Sequence, residues 1–483
     1  MLSDVKPFKM ISNIYYVGSL KYCSHIIDTG DGLIMIDNGY EANAPMIVDS
    51  MNILGLDIKD VKIIIHSHGH GDHSWATPEL VSLSGAKVYM HKADLRYLKP
   101  DQTADVFVKD GDYIELGNTK ILCMETPGHT LGTLSFFFDI EHEGKTYRAG
   151  MFGGAGTNQL KKQYLLTRHI GLSYLQRAMF FESIEKLKKI HVDVMLGNHP
   201  WNNDTFGKQK LIETSKVNPY IDTEIWGKFL DKVKNDLENV IEEESKTQFV
   251  NFAHRGASEY TPENTLLAFN LGVYMGANGI ETDVQLTKDG IPVLFHDDTI
   301  VRMTGEEGSI SDYTFEELQN FNVTKNEYFD KIVKLEDFIK FFHFRDFTFA
   351  IELKQRGSYK STIDILKKYN IKHKVTITSF SFDELCDAKK YDPEFKFGYL
   401  TNNITDELLA KMRELGIDEI CPEAHLTNKE IVRKWHHMGF NVRAWGVYNI
   451  ELMKQAYDAG CDGMTVNFPD KLTAYIKEGN STL

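Results

Sequence analysis

Glu281 and Asp283 stand two residues apart in the apolar, β-branched run GIETDVQL. Alternate side chains of a strand share a face, so both carboxylates aim at one spot. They repel there unless a cation or a proton lies between them, and ligation by oxygen alone suits Ca²⁺ or Mg²⁺. A polar turn at 286–290 leads to a second strand at 292–296. The turn is too short for the helical crossover of a parallel pair, so an antiparallel hairpin is expected, returning His296 towards the carboxylates. Upstream, FVNFAHRG reads as a strand running into His254 and Arg255. Two histidines, an arginine and a cation suit cleavage of a phosphodiester. The guanidinium fork neutralises phosphate, the cation polarises it, and the imidazoles move protons.

A second set of chemical side chains lies in the first half. The strand Val61–Ile65 delivers HSHGHGDHSW, in which His68, His70, Asp72 and His73 form H-x-H-x-D-H. Gly69 and Gly71 let the backbone fold so that the imidazoles converge, and a His/Asp set of this kind suits zinc. The plain alternative is a surface histidine cluster. Two further strands, 119–124 and 192–196, run into TPGHT and LGNHP, which contain His129 and His199. His25, His66, His91, His142, His169 and His191 lie outside these frames and are expected to be exposed or internally bonded. Asp37, at a strand end, is a turn cap or a support for the motif. The glycine-rich run 150–158 lacks the lysine and spacing of a phosphate-binding loop and reads as a mobile loop near the metal edge. Residues 164–181, with Arg168, are where a substrate pocket could be set.

The elements that must hold these groups differ between the halves. From residue 249 onward, apolar strands at 249–253, 280–284, 349–353, 375–378, 397–400, 419–421, 442–445 and 463–466 alternate with amphipathic stretches. Eight strands in βα alternation imply a (β/α)8 TIM barrel, whose active sites lie at the carboxyl ends of the strands. His254, Glu281, Asp283, Glu352 and Trp445 all fall at or just past such ends. Glu352 and Lys354 share a face by the same i, i+2 logic; an internal ion pair is the bland reading. Trp445 is a candidate floor for a substrate pocket, with core packing as the alternative. Glu263 and Asn264 are expected to open a helix after Thr261-Pro262, Glu263 complementing its dipole. Asn218-Pro219 reads as the start of another helix, with apolar residues at helical spacing from Ile221 to Ile241. The pattern fades over EEESK, which places a boundary near 245–248 and gives two domains, 1–246 and 247–483.

Taken together, His254-Arg255-Gly256, Pro262-Glu263-Asn264-Thr265, Glu281-x-Asp283 and His296-Asp297 resemble the glycerophosphodiester phosphodiesterases, from about residue 249 to the end. The resemblance implies Glu352 as a third metal carboxylate beside Glu281 and Asp283. It implies Arg255 and Lys354 as phosphate ligands, His254 and His296 as the proton-transfer pair, and one Ca or Mg. The implied reaction is attack by the neighbouring glycerol hydroxyl to give a cyclic phosphate, then opening by water to sn-glycerol 3-phosphate and an alcohol. The histidine motifs of the first half resemble the metallo-β-lactamase superfamily over about residues 14–245. That implies an αββα sandwich and two Zn, one on His68, His70 and His129, the other on Asp72, His73 and His199, with Asp72 also orienting the attacking water. One departure is visible: Met151 stands about where many members carry a metal-bridging aspartate, and a thioether is a poor ligand for a hard cation.

The expected protein is a bifunctional metal-dependent hydrolase, its first domain acting on an ester, a lactone or a phosphodiester. Two alternatives remain: a barrel joined to a non-catalytic scaffold, and a lysophospholipase D-type activity. With 483 residues, 42% hydrophobic and 25% charged, the chain has ample core for two domains. A net charge of −15 argues against nucleic acid as a partner, but not against a small glycerophosphodiester entering a local basic pocket. The five scattered cysteines form no C-x-x-C, as in a reducing compartment. No apolar run approaches spanning length and the first residues lack an apolar leader, so a cytoplasmic location without membrane insertion is expected. Whether the chain forms a homo-oligomer is left open by its sequence.

Overall fold

The computed structural model describes residues 5–100, 102–167 and 174–480. The chain divides into two compact units, Met1–Lys161 with Gln176–Asn239, and Lys162–Leu175 with Val240–Leu483. Arg168 and His169 lie outside the described residues.

In the first unit, strand alternation builds two cores at once. Ile34, Ile36, Ile63 and Ile65 face a core shared with Ile121, Cys123, Phe136 and Val194. Their neighbours Leu33, Met35, Val61 and Ile64 face the other way, onto Ile47, Met51 and Leu80 of the helices Ala44–Ile53 and Thr77–Ser84. Burying each such side chain contributes on the order of 1.5–3 kcal/mol. The inner faces belong to a seven-stranded sheet and a five-stranded sheet. Beyond the second sheet, Trp226 packs edge-on against Phe137 at 5.9 Å and Phe180 lies 5.8 Å from Phe152. The result is the αββα sandwich. Met151, fully buried, belongs to the core between the sheets.

In the second unit, eight parallel strands close on themselves. Each pairs with its neighbour in the order Val250–His254, Gly463–Val466, Asn441–Val447, Glu419–Pro422, Lys396–Thr401, Val375–Ser379, Thr348–Leu353 and Gly279–Leu286. The last pairs back with the first. Pro292–Leu294 adds an antiparallel return strand to Gly279–Leu286, pairing Val284 with Leu294. Beyond the hairpin, Val293, Phe295, Ile300, Met303, Ile310 and Leu318 form a satellite core that anchors the segment carrying His296.

Two expected helix starts fall elsewhere. No helix begins at Asn218-Pro219. Asn218 instead accepts from Tyr220 N at 2.9 Å and donates to Met10 O at 2.9 Å, and the helix runs Ile225–Thr247, through EEESK. Tyr220 and Ile221 are drawn into the sandwich core, a tertiary demand that overrides the local signal. Likewise the helix after Pro262 begins at Leu266, capped by Thr265, which leaves Glu263 outside the helix. Among the described residues, no helix is long and apolar enough to cross a membrane.

Candidate active sites

Strand register brings the barrel's chemical groups together. In a parallel sheet, register partners share a face. His254 is paired with Glu281, and Asp283 with Glu352. One oxygen from each of Glu281, Asp283 and Glu352 lies within 4.8 Å of the others, and all three residues are buried. Asp283 Oδ1 is enclosed without a hydrogen-bond partner. Three buried carboxylates around an unsatisfied oxygen fit a hard divalent cation, which takes oxygen ligands. Burial, then Asp283 and Glu352, raises Glu281 well above the usual carboxylate range. Burial, then Asp283, raises Glu352 to about 7. Burial is the largest influence on Asp283 and opposes its charge, but Arg255, His296, Lys354 and the Asn264 hydrogen bond together outweigh it and hold that carboxyl low.

The basic groups and imidazoles surround this trio. Arg255 sits in the left-handed region at φ +55°, its N–H donating to Glu281 O at 3.0 Å. Its guanidinium lies 3.2 Å from Asp283 and 2.9 Å from Glu263. Asn264, also left-handed at φ +57°, donates to Asp283 at 2.9 Å. Non-glycine residues held in this strained region gather at functional sites. Lys354 pairs with Glu352 at 3.0 Å. His254 Nδ1 bonds Asn467 Oδ1 at 2.6 Å, and its Nε2 lies 3.8 Å from Glu281. Burial, then Arg255, lowers this imidazole to about 4. His296 Nδ1 bonds Asp297 at 2.7 Å. Trp445 stands edge-on to Phe380 at 4.9 Å, and Phe380 in turn lies under Lys354 at 5.8 Å. Glu263 does not serve the helix dipole; it pairs with Arg255 and Arg302.

The first unit gathers its histidines at the ends of strands. Donor atoms of His68, His70 and His129 lie within 4.8 Å of one another, as do those of His68, Asp72 and His73. His199 is adjacent, its Nε2 3.9 Å from Asp72 and its ring 5.1 Å from that of His73. Backbone carbonyls aim three of these rings: Gly153 O accepts from His68 Nδ1 at 2.8 Å, Gly156 O from His129 Nδ1 at 2.7 Å and Lys21 O from His199 Nδ1 at 2.7 Å. The glycine-rich run therefore supports imidazoles and is not a free loop. A Cβ on Gly153 would fall 1.9 Å from Leu134 O, so the close approach requires glycine. With Nδ1 bonded, His68 Nε2 is buried with no hydrogen-bond partner. Burial, followed by His73, pushes His68 well below its ordinary value; burial also lowers His129, to about 4. Neutral imidazoles converging on one point fit zinc. Asp37, fully buried, accepts from Ser67 and from His73 Nδ1 at 2.9 Å, so it holds a candidate ligand in place. Burial opposes a charge on His73, yet Asp37 and Asp72 outweigh it and raise that imidazole to about 9.

Several supporting residues carry no local signal. Asp94, fully buried, accepts from Gly69 N, Gly132 N and Thr130 Oγ1 and so ties the H-x-H-x-D-H loop to the loop of His129. Asn467 reaches His254 across 213 residues of sequence. Arg302 bonds both Asp297 and Glu263.

An eight-stranded parallel barrel with a buried carboxylate trio, flanked by two basic side chains and two imidazoles, is equipped to cleave a phosphoric diester, and the family match makes the protein a phosphoric diester hydrolase. Residues 254–471 match the glycerophosphoryl diester phosphodiesterase family and residues 23–142 the metallo-beta-lactamase superfamily. The chain is 34% identical over 238 residues to the YqiK protein of Bacillus subtilis, covering 47% of this chain and 98% of that one. It is 33% identical over 236 residues to the glycerophosphodiester phosphodiesterase of Caldanaerobacter subterraneus, covering 47% and 97%. Among solved structures it is similar to the FEZ-1 metallo-beta-lactamase of Legionella gormanii, with 28% identity over 50% of this chain and 98% of that one, at a TM-score of 0.47. Through its second half, the chain belongs to the glycerophosphoryl diester phosphodiesterase family, with a metallo-beta-lactamase domain in front.

Proposed function

We propose that the protein is a two-headed hydrolase. Residues 247–483 release sn-glycerol 3-phosphate and an alcohol from small glycerophosphodiesters, and residues 1–246 form a zinc hydrolase for an ester, lactone or phosphodiester. The observation that carries the barrel assignment is the buried trio Glu281, Asp283 and Glu352 with His254 and His296 beside it. The trio would hold Ca²⁺ or Mg²⁺, which when bound polarises the phosphate and acidifies the adjacent glycerol hydroxyl. His68, His70 and His129, and Asp72, His73 and His199, would hold two zinc ions; Asp72 would orient water.

In this reading Arg255 and Lys354 bind the phosphate oxygens, and Trp445 floors the glycerol site. The amide oxygen of Asn467 takes the proton side of His254 Nδ1 and leaves Nε2 with a lone pair. That nitrogen accepts the proton of the glycerol hydroxyl as its oxygen attacks phosphorus. Asp297 fixes His296 with Nδ1–H inward, and His296 Nε2 hands a proton to the departing alcohol. The two imidazoles then exchange roles as water opens the cyclic phosphate. Each transfer is worth about 10²–10⁴-fold.

The test assigns each activity to its half. Glu281→Ala is expected to abolish release of glycerol 3-phosphate from glycerophosphocholine while zinc content and hydrolysis of ester and lactone probes persist. His68→Ala is expected to do the reverse. A first half without zinc, or ester and lactone turnover indifferent to His68→Ala, would leave it a scaffold. Release of glycerol 3-phosphate that survives Glu281→Ala would end the barrel assignment.

A further inference from the structure

Arg302 lies outside every motif used above, yet it sits in the middle of a chain of charged groups that leads to Asp283. Its Nε and Nη2 donate to the two carboxylate oxygens of Asp297, at 2.5 and 2.9 Å. Its Nη1 and Nη2 donate to the two oxygens of Glu263, at 3.2 and 2.6 Å. Asp297 Oδ1 also accepts from His296 Nδ1 at 2.7 Å, and Glu263 Oε1 accepts from Arg255 Nη1 at 2.9 Å. Arg255 then meets Asp283 at 3.2 Å. One guanidinium thus spans two carboxylates, one bonded to an imidazole and the other to a second guanidinium.

We infer that Arg302 is a positioning residue that fixes the orientation of His296 relative to the phosphate-binding Arg255, acting through Asp297 on one side and Glu263 on the other. The inference rests on the barrel reading above. A planar guanidinium bonded at both oxygens of a carboxylate fixes its plane as well as its place. Asp297 alone, on the chain next to His296, could rotate and carry the ring with it. Clamped by Arg302, it holds one plane. Glu263 supplies the other abutment, and it can do so because its helix begins only at Leu266. The side chain of Arg302 is half exposed, whereas those of Glu263 and Asp297 are more enclosed, at 13% and 22%. Arg302 therefore packs little of the core, and its loss is expected to leave the fold intact.

The expected consequence is a split between kinetic constants. With Arg302→Met, Arg255 keeps both Glu263 and Asp283, so KM for glycerophosphocholine stays near its wild-type value. His296 loses its fixed plane, and kcat falls by about 10- to 100-fold, the scale of a small misplacement of a reacting group. Arg302→Lys is not expected to restore the rate, because an ammonium cannot bridge a carboxylate in its plane. Free guanidinium, well below denaturing concentrations, is expected to restore part of it to Arg302→Met. Asp297→Asn and Arg302→Met are expected to be non-additive, the double variant being no slower than Asp297→Asn alone. Wild-type kcat in Arg302→Met, full recovery by lysine, or multiplication of the two defects would overturn the inference. So would a lowered melting temperature that accounts for the lost rate. Activity that survives His296→Ala would instead remove the barrel reading itself, a separable outcome.

Discussion

Glu352→Gln should stabilise the metal-free barrel while inactivating it. Glu352 is buried beside Asp283, and burial, then that neighbour, lifts its carboxyl from 4.5 to about 7. The folded chain therefore holds this proton more tightly than the unfolded chain does. Below about pH 4.5 both states are protonated and the group costs nothing. Between about pH 4.5 and 7 the unfolded chain has lost a proton that the fold retains, so stability falls as pH rises. Above about pH 7 the whole penalty is present, about 3 kcal/mol at 1.36 kcal/mol per pKa unit. Glutamine removes the charge, keeps the shape, and can still accept from Lys354, which now lies 3.0 Å away. A gain of about 2–3 kcal/mol in a barrel of this size corresponds to roughly 5–10 °C. Calorimetry of the full chain in chelator, at about pH 8 and about pH 5, reads the difference, which should be large at the first and small at the second. Added Mg²⁺ or Ca²⁺ should stabilise the wild type by about 2.7 kcal/mol at a hundred times its Kd and the variant by less. Equal melting of the two proteins at the higher pH, or an unchanged gap at the lower one, would refute the argument that these carboxylates are held together for a cation.

Two further perturbations probe the imidazoles. His254 and His296, exchanged singly for alanine, should each cut release of glycerol 3-phosphate by about 10²–10⁴-fold in a protein that melts as the wild type does. Because burial holds His254 near 4, its base form persists in mild acid, and the acid limb of kcat/KM should fall only as pH approaches about 4; a limb near 6.5 would contradict the assignment of His254 as base. In the first unit, Asp37→Asn should weaken zinc binding by about 10- to 100-fold, since Asp37 orients His73 without itself being a proposed ligand. Titration against a chromogenic chelator measures this, and an unchanged affinity would show that His73 needs no such support.

The barrel was legible because its strands are β-branched runs separated by amphipathic ones, and every one of the eight lies within two residues of its expected position. Glu281 and Asp283 could be placed on one face, and likewise Glu352 and Lys354 on one face of their own strand, because a strand has a fixed period of two. That Glu352 joins the first pair was implied by the family resemblance, since spacing says nothing across strands. The hairpin carrying His296 followed from the shortness of its turn. Harder to read were contacts set by tertiary geometry. Asn467 approaches His254 only because barrel closure brings the last strand beside the first. Gly153 and Gly156 act through backbone carbonyls, which leave no trace in side-chain type. Asn218-Pro219 carries a sound local signal for a helix start, defeated by burial of Tyr220 and Ile221. Glu263 was misassigned for a related reason: Pro262 suggested a helix that Thr265 in fact caps three residues later.

The two sites share one device for aiming imidazoles. In six of the histidines the Nδ1 atom is bonded to the surrounding protein, leaving Nε2 for the candidate site: His68 to Gly153 O, His129 to Gly156 O, His199 to Lys21 O, His73 to Asp37, His254 to Asn467 and His296 to Asp297. A carbonyl or amide oxygen fixes a neutral tautomer and offers no charge to balance an added proton, whereas a carboxylate tolerates an imidazolium. In the barrel the pair is mixed, with an amide behind His254 and a carboxylate behind His296. In the proposed mechanism that asymmetry separates the accepting ring, His254, from the donating ring, His296. In the sandwich, three of the rings rest on backbone carbonyls, which suits lone pairs that must point and need not trade protons. His73, a candidate ligand backed by the Asp37 carboxylate, and His254, the proposed base backed by an amide oxygen, show that the partner fixes which nitrogen is offered, while the groups that nitrogen faces set its task.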